Sequence, residues 1–343
     1  MTTAPKDQTD LIEALDKMSL AALWVLAKRQ ASPQPYQAEP AIHWRWDDLT
    51  PLIERALSEV GMEDAERRVL MLSNPAFKPA VQTTRNLIAA VQILRPGDQA
   101  QPHRHSAAAI RMILEAEGGH TSVDGKNFQM GAGDLILTPA WTWHGHVNPT
   151  DKPVMWIDGL DSPFVRGALD AFFFEHHPPA GALDGPHVPA DRLAWAESGL
   201  VAAGHSPDAA PFSPKIHYPW NATAAALDDM RPRADQSTLL RYVNPQNGGA
   251  VTPTLDCFML RLRAGHETAP SRSTANAVCV VVEGEGQSTV GDKTFAWKKN
   301  DVFTVPHWTQ ATHRSAEKAS HLFLMTDREI YRRLGLLRDE PQI

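Results

Sequence analysis

The stretch that decides the fold runs from residue 97 to residue 148, opening with GDQAQPHRHS and closing with PAWTWHGHVN. It holds two histidine pairs, His103 with His105 and His144 with His146, and one residue separates the members of each pair. Side chains two apart in a strand point to the same face, so each pair presents two imidazoles on one side of a sheet. Apolar runs and glycine turns between the pairs predict hairpins that bring them together. We therefore expect a metal site inside a small β-barrel.

Composition narrows the class of protein. The chain has 343 residues, and 43% of them are hydrophobic, which is typical of a globular protein with one to three domains. The formal net charge is −7 without a long basic run, so no nucleic-acid partner is expected. The first residues are polar and acidic, and no long apolar run occurs, so neither a signal peptide nor a membrane span is expected.

The two cysteines, Cys257 and Cys279, each stand inside an apolar run that is typical of a strand. A pair placed in this way is more often two buried thiols than a disulfide. This usage fits a reducing compartment, and we expect the protein to be cytoplasmic.

Helical periodicity marks the beginning of the chain. Apolar residues recur at three-to-four spacing from Asp10 to Arg29, with a break near Ser19, and a second helix is expected from Thr50 to about Val60. These helices predict an arm that packs on the core or on another subunit. A β-branched and apolar run from Thr83 to Arg95 then predicts the first strand.

The second half of the chain repeats the first. Gly265 matches Gly97 at an offset of 168, and Pro306 matches Pro139 at an offset of 167. A repeat of this period predicts a duplicated domain. The expected organisation is an N-terminal helical arm, a first barrel, a connector rich in proline and glycine, a second barrel and a C-terminal tail, at residues 1–82, 83–160, 161–235, 236–330 and 331–343.

At these residues the chain resembles the cupin superfamily. Its first motif is G(x)5HxH(x)3–4E(x)6G and its second is G(x)5PxG(x)2H(x)3N. The first motif is matched by Gly97, His103 and His105, and the second by Gly133, Pro139, His144 and Asn148. The resemblance implies a mainly β fold, a bicupin of two jelly-roll β-barrel domains preceded by the helical arm.

Two departures from the cupin motifs carry chemical information. The glutamate of the first motif is replaced by Ala109 or Ile110, according to the spacing, and the glycine of the second is replaced by Trp141. The metal would then have three neutral imidazoles and no carboxylate. Imidazole suits Fe, Cu, Ni and Zn, and three such ligands leave up to three positions open on an octahedral ion.

Within the cupins the chain resembles the gentisate 1,2-dioxygenase family, with its relatives that act on salicylate and 1-hydroxy-2-naphthoate. The resemblance covers the arm, HRHS followed by an arginine, the TPAWTWHGH block, the second barrel and the terminal LGLLR. Members hold Fe(II) on three histidines, which the resemblance carries over to His103, His105 and His144. It implies that O2 cleaves the ring of a small aromatic hydroxy acid, gentisate giving maleylpyruvate, in a homotetramer or homodimer.

Two further residues are expected beside the metal. Arg111 stands two positions after Ala109, so it faces the metal if Ala109 does, and its guanidinium can hold the substrate carboxylate. The alternative is an arginine that pairs with a surface acid. His146 shares a face with His144 and is a candidate acid or base for the phenolate or O2. The alternative is a solvent-facing loop histidine.

Three more candidates line the predicted pocket. Gln92 and Asp158 stand in apolar strand-like runs, where an unpaired polar group costs a few kcal/mol, so both are expected to face a polar cavity. The family resemblance supports Gln92 as a substrate contact and Asp158 as a catalytic residue. Arg67 or Arg68 is a candidate second anion contact, with a surface position as the alternative.

The second barrel is expected to lack a metal. Ser271 and Ser273 stand where His103 and His105 would recur, and Ala311 stands where His144 would. Hydroxyl groups are poor Fe(II) ligands.

Three other functions are open on the sequence. The same ring cleavage on salicylate or 1-hydroxy-2-naphthoate depends on the pocket shape. A bicupin decarboxylase or isomerase would usually retain the missing glutamate. A non-catalytic cupin that binds or stores a ligand needs no open metal site.

Overall fold

The computed structural model describes residues 8–36, 39–61, 67–176 and 212–341. The chain divides into two compact units, Met1–Ala38 and Glu39–Ile343. None of the helices in the described part combines the length and the apolar character needed to cross a membrane.

The first unit contains two short helices, α1 (Thr9–Lys17) and α2 (Leu23–Gln30). Ser19 interrupts them with a left-handed backbone (φ 56°), which confirms the expected break. Helix α1 has no buried residue, and both helices expose large apolar side chains. These helices are therefore amphipathic.

The first barrel is built from two antiparallel sheets with the strand orders β12-β8-β5-β10-β3-β2 and β11-β4-β9-β6-β7. Its strands are β2 (Arg68–Met71), β3 (Ile88–Leu94), β4 (Gln99–His105), β5 (Ala109–Glu115), β6 (Glu117–Val123), β7 (Lys126–Gly131), β8 (Leu135–Thr138), β9 (His144–Val147), β10 (Val154–Leu160), β11 (Phe174–His176) and β12 (His217–Tyr218).

The second barrel has the sheet orders β1-β19-β16-β21-β14-β13 and β18-β17-β20, with a separate pair β15-β22. Its strands are β1 (His43–Trp44), β13 (Thr238–Tyr242), β14 (Asp256–Leu262), β15 (Arg272–Ser273), β16 (Ala277–Glu283), β17 (Glu285–Val290), β18 (Lys293–Lys298), β19 (Val302–Val305), β20 (Ala311–Ser315), β21 (Ser320–Thr326) and β22 (Asp339–Glu340).

The remaining helices lie before, between and after the barrels. They are α3 (Trp46–Glu59), a 3-10 turn (Pro75–Phe77), α4 (Ser162–Gly167), α5 (Trp220–Asp229) and α6 (Arg328–Arg333). Helix α3 begins four residues before the expected Thr50, and the backbone N–H of Trp46 donates to the Oδ1 of Asp301 (2.7 Å). The start of this helix thus depends on a partner distant in sequence.

The two barrels follow one strand plan. Strands β3 and β14 begin 168 residues apart, as do β5 and β16, whereas β9 and β20 begin 167 apart. The structure therefore confirms the mainly β, two-barrel fold that the repeat predicted.

Residues 39–82, which the sequence places in the helical arm, belong to the same unit as the barrels. Strand β1 pairs with β19 of the second barrel, and β2 pairs with β3 of the first. Part of the predicted arm is thus strand, and these strands lie outside the two segments for which helical periodicity was found. The other predicted domain boundaries remain predictions, and much of the connector, residues 177–211, lies outside the described residues.

Alternation along the central strands decides what faces the barrel interior. On β10, Trp156 and Asp158 share one face, and on β3, Gln92 lies opposite Trp156. Apolar side chains fill most of the interior, each contributing about 1.5–3 kcal/mol when fully buried. The polar members of these strands are therefore collected in one part of the barrel.

Candidate metal centre and substrate pocket

Three buried histidines converge on one point inside the first barrel. His103 and His105 lie on β4, and His144 on β9 is the direct cross-strand partner of His103. Their ligand nitrogens all lie within 4.8 Å of one another. Among the described residues this is the one group of three or more potential ligands found so close together. The i, i+2 spacing of His103 and His105 thus places both imidazoles on one face of β4, as strand geometry predicts.

Hydrogen bonds fix the tautomer of all three rings. Each Nδ1 donates to a backbone carbonyl two residues away: His103 to Gln101 (3.1 Å), His105 to Ala107 (2.8 Å) and His144 to Thr142 (2.9 Å). A carbonyl oxygen can only accept, so each Nδ1 carries the proton and each Nε2 carries the lone pair. The three rings are therefore oriented with Nε2 as the ligand atom.

Burial keeps these rings neutral. Desolvation, reinforced by the Arg67 charge, lowers the pKa of His103 to about 2. Desolvation alone is the main cause that lowers the pKa of His105 to about 4 and the pKa of His144 well below its usual value. A metal ligand must be deprotonated, and the three Nε2 atoms are unprotonated near neutral pH, although the Nη1 of Arg67 donates to the Nε2 of His103, a hydrogen bond that a metal ion would replace.

The donor set fits a transition-metal ion. The Nε2 of His144 is buried without a hydrogen-bond partner in the described part of the chain, and such an orphaned atom requires an explanation. Three neutral imidazoles in one cluster supply the explanation, because imidazole is the preferred ligand of Fe, Cu, Ni and Zn. The structure also places Ala109, at a position of the missing glutamate, on the wall of the adjoining pocket.

A pocket of about 410 Å³ opens beside the histidines. Arg67, Gln92, Arg111 and Asp158, all predicted from the sequence, lie on its wall together with His103 and His105. The rest of the wall is largely apolar and includes Val69, Met71, Ile88, Ala90, Leu160, Phe172 and Phe174. The pocket thus combines a few polar groups with an apolar surface, as small-molecule sites do.

Arg111 is part of a buried polar group on neighbouring strands. Its Nη1 donates to the Oγ1 of Thr138 (2.6 Å), and its Nε lies 3.2 Å from the Oδ1 of Asp158. Burial raises the pKa of Asp158, and the charge of Arg111 opposes that rise. The surface position considered for Arg111 is therefore wrong.

Arg67 and Arg68 occupy different environments. The Nη1 of Arg67 lies 2.5 Å from the Nε2 of His103, and its guanidinium lies over the ring of Phe174 at 5.3 Å. Arg68 is buried and paired with Asp98 instead. Of the two candidates, Arg67 is the one in the pocket.

His146 is buried and is not among the residues that line the pocket. Its ring is fully buried, and its Nδ1 is hydrogen-bonded to the Oγ1 of Thr121 (3.0 Å). Burial lowers its pKa well below the usual value, and its Nε2 has no hydrogen-bond partner. The solvent-facing alternative is therefore wrong, and the expected contact of His146 with the substrate remains a prediction.

Sequence reasoning missed the aromatic wall of the pocket. The ring of Phe174 stacks on His103, with a centroid distance of 5.2 Å and an interplanar angle of 7°. Strand β11 carries Phe174 and pairs with β4 across about 70 residues of chain. The FFF run at 172–174 was the available signal, but nothing local to that run shows which strand it joins.

Comparison with known proteins identifies the family. Residues 90–160 match the Cupin domain family. A gentisate 1,2-dioxygenase of Streptomyces sp is 39% identical to this chain over 355 residues, covering 98% of this chain and 97% of that protein. The chain belongs to the gentisate 1,2-dioxygenase family. It is accordingly a ring-cleaving cupin enzyme.

Further relatives show the breadth of this family. The 1-hydroxy-2-naphthoate 1,2-dioxygenase of Nocardioides sp. (strain KP7) is 30% identical, over 99% of this chain and 91% of that protein. The solved structure of salicylate 1,2-dioxygenase from Pseudoaminobacter salicylatoxidans as an adduct with gentisate has a TM-score of 0.88 and 32% identity, covering 98% and 95% of the two chains. The enzyme therefore takes a small aromatic substrate.

The second barrel of this dioxygenase carries different side chains at the corresponding place. Ser271 and Ala311 form an isolated antiparallel bridge there. His103 and His144 are paired in the same way between β4 and β9. The backbone arrangement is thus duplicated while the imidazoles are not. That this barrel works without a metal remains a prediction.

Proposed function

We propose that this enzyme is an Fe(II)-dependent gentisate 1,2-dioxygenase, in which His103, His105 and His144 hold the ion. The observation that carries the proposal is the convergence of three neutral imidazoles, with no carboxylate among them, beside a pocket that contains a buried arginine. Bound there, Fe(II) would supply coordination for the substrate carboxylate and hydroxyl and a route for electrons from the ring to O2. The product expected from gentisate is maleylpyruvate.

Arg111 is the proposed carboxylate anchor. Among the described residues its Nε makes no aligned hydrogen bond, although it lies 3.2 Å from the Oδ1 of Asp158, and its Nη1 donates to Thr138. A guanidinium presents five N–H donors in a planar fork, so the remaining donors can bind a carboxylate bidentately. Arg67, in the same pocket, is the proposed second contact for the anionic substrate.

Asp158 and Gln92 are proposed to orient the rest of the ring. The Nε2 of Gln92 and the Oδ1 of Asp158 are both buried, and neither makes an aligned hydrogen bond with any residue that the structure describes. A substrate hydroxyl can donate to the carboxylate, and a substrate oxygen can accept from the amide. Because burial raises the pKa of Asp158, that side chain is suited to take up and return a phenolic proton.

His146, whose ring lies 6.2 Å from that of His144, is the proposed acid–base residue. Thr121 holds its Nδ1, which leaves Nε2 as the atom that exchanges a proton or hydrogen-bonds the reacting oxygen. Its lowered pKa favours the neutral form, so it acts first as a base.

The substrate and the metal can be tested together. We expect the iron-loaded enzyme to change its absorption spectrum on anaerobic addition of gentisate and to consume O2 on re-aeration. Salicylate and 1-hydroxy-2-naphthoate in the same assay distinguish the alternative substrates. Absence of both signals with every acid would instead support a non-catalytic ligand-binding protein. If some activity is found, its full retention in a His105→Ala variant would support the same conclusion.

The cellular form of the enzyme is part of the proposal. Cys257 and Cys279 are buried free thiols, which fits the reducing cytoplasm. Leu11, Leu23 and Trp24 expose half or more of their surface on α1 and α2, which supports a homotetramer or homodimer that covers them. Light scattering coupled to gel filtration measures this directly, and a monomeric mass would contradict it.

A further inference from the structure

The second barrel keeps a cavity of about 340 Å³ at the place that corresponds to the substrate pocket. Eight of its wall residues stand 168 positions after wall residues of the first pocket, and they include Ser271, Ser273, Ala277 and Thr326, which follow His103, His105, Ala109 and Asp158. Deeper positions are filled, since Leu260 and Cys279 stand where Gln92 and Arg111 would recur and belong to an apolar cluster. In the second barrel, apolar side chains therefore fill the deep end of the cavity, while its outer part stays open.

A histidine with a hydroxyl partner is duplicated along with the cavity. The Nδ1 of His313 is 2.8 Å from the Oγ of Ser288, as the Nδ1 of His146 is 3.0 Å from the Oγ1 of Thr121. Both members of the second pair stand 167 positions after those of the first. With Ala311 in place of an imidazole, His313 itself lies on the cavity wall.

The ring of His313 is held in one orientation. The Nε1–H of Trp297 donates to the Oγ of Ser288 (2.8 Å), so the hydroxyl that contacts His313 is itself fixed. The Nε2 of His313 makes no hydrogen bond to any residue that the structure describes. This nitrogen is therefore the polar atom that the inner end of the cavity offers to a ligand.

Four arginines surround the mouth of the cavity: Arg241, Arg272, Arg328 and Arg332. Three of them are paired with acids that do not lie on the wall, Arg272 with Glu340, Arg328 with Asp339 and Arg332 with Glu329. The three acids thus orient the guanidinium groups without lying on the cavity wall themselves.

The arginines keep unused donors. The hydrogen bonds of Arg272 and Arg332 use Nε and Nη2, so that Nη1 has no partner among the described residues. Asp256 is the one carboxylate on the wall, and the Nε of Arg241 donates to it (2.9 Å). A rim of this kind offers charge-assisted hydrogen bonds to an anion.

Between the rim and His313 the wall is apolar, formed by Leu239, Phe258, Val305 and Leu324. A ligand that satisfies all three regions has a carboxylate at one end, a flat apolar body and a hydroxyl or carbonyl oxygen at the other. We propose that the second barrel binds a single-ring aromatic hydroxy acid without a metal. This site is separate from the metal centre and does not depend on catalysis.

The test counts binding sites by equilibrium dialysis with salicylate, on the iron-loaded full chain under anaerobic conditions. We expect two sites per chain. Ala277→Leu, which fills the second cavity without removing a hydrogen bond, should abolish one of them. Arg241→Gln, which retains an amide near Asp256, should weaken that site roughly tenfold or more. Arg111→Met should weaken only the other site, about 10- to 100-fold.

The outcomes separate this inference from the proposed function. Dioxygenase activity and thermal unfolding of the Ala277→Leu variant show whether it folds, because its substitution lies outside the first barrel. One site per chain that survives Ala277→Leu would overturn the inference. A site that is lost in Ala277→Leu while no site responds to Arg111→Met would uphold it and contradict the proposed carboxylate anchor.

Discussion

Arg111 and Asp158 stand directly opposite each other on the antiparallel strands β5 and β10, with the Nε of Arg111 3.2 Å from the Oδ1 of Asp158. Their side chains are 3% and 9% exposed, yet neither of these two atoms makes an aligned hydrogen bond. A buried charge pair is costly to break when one partner is removed. The contact thus balances the two charges and leaves donor and acceptor atoms available to a substrate.

Replacing Arg111 by methionine tests the carboxylate anchor. We expect KM for gentisate to rise about 10- to 100-fold, because a hydrogen bond to a charged group contributes about 1.5–3 kcal/mol. Metal content should not change. Oxygen uptake at varied substrate concentration measures the effect.

The matched control for that variant is Arg261→Met. Arg261 pairs with Asp228 at the surface of the second barrel. The KM of the Arg261→Met variant for gentisate should equal that of the natural enzyme. An unchanged KM in Arg111→Met, with intact folding, would rule out the anchor.

The metal centre can be tested by composition alone. His105→Ala should reduce bound iron to near zero after loading and dialysis, because two imidazoles hold an ion far less well than three. His313→Ala removes a buried histidine of the second barrel and should keep the natural iron content. Elemental analysis per chain measures both, and equal iron in the two variants would contradict the assignment.

A third prediction separates the proton chemistry from metal binding. His146→Gln should lower kcat roughly 10²- to 10⁴-fold, the usual contribution of a positioned acid or base, while bound iron stays unchanged. Thr121→Val removes the hydroxyl that orients the ring and should give a smaller loss in kcat. If His146→Gln keeps full kcat, the histidine only supports the structure.

The pH dependence of stability reports on His313. Burial lowers its pKa from 6.5 to about 4. Between those values the unfolded chain binds a proton that the folded chain does not, so the protein loses stability as the pH falls from about 6.5 to 4. At about 1.36 kcal/mol per pKa unit, this loss is roughly 3 kcal/mol.

His313→Asn removes that contribution. The free energy of unfolding of the variant should fall by roughly 3 kcal/mol less than that of the natural protein between pH 7 and pH 4. Urea unfolding of the metal-free proteins at both pH values measures the difference. Parallel pH profiles would show that His313 titrates alike in the folded and unfolded chains.

Several features of the site follow from local sequence. The two-residue period of a strand places His103 beside His105 and Ala109 beside Arg111, whatever the rest of the fold does. The position of Gln92 is also predictable, because an unpaired amide in an apolar strand must find a polar cavity. The absence of a glutamate at position 109 likewise indicates a three-imidazole centre before any coordinates are known.

Other features depend on contacts between distant segments. The sequence by itself determined the two-barrel repeat, the placement of each histidine pair on one strand face and the faces on which Arg111 and Gln92 lie, because these follow from periodicity and spacing. Only the tertiary structure decided that His144 meets His103, that Phe174 stacks on His103, that Arg67 and not Arg68 enters the pocket, and that His146 does not line it. The physical reason is that a strand's period sets the face of each side chain, whereas strand pairing across long stretches of chain sets what that face meets.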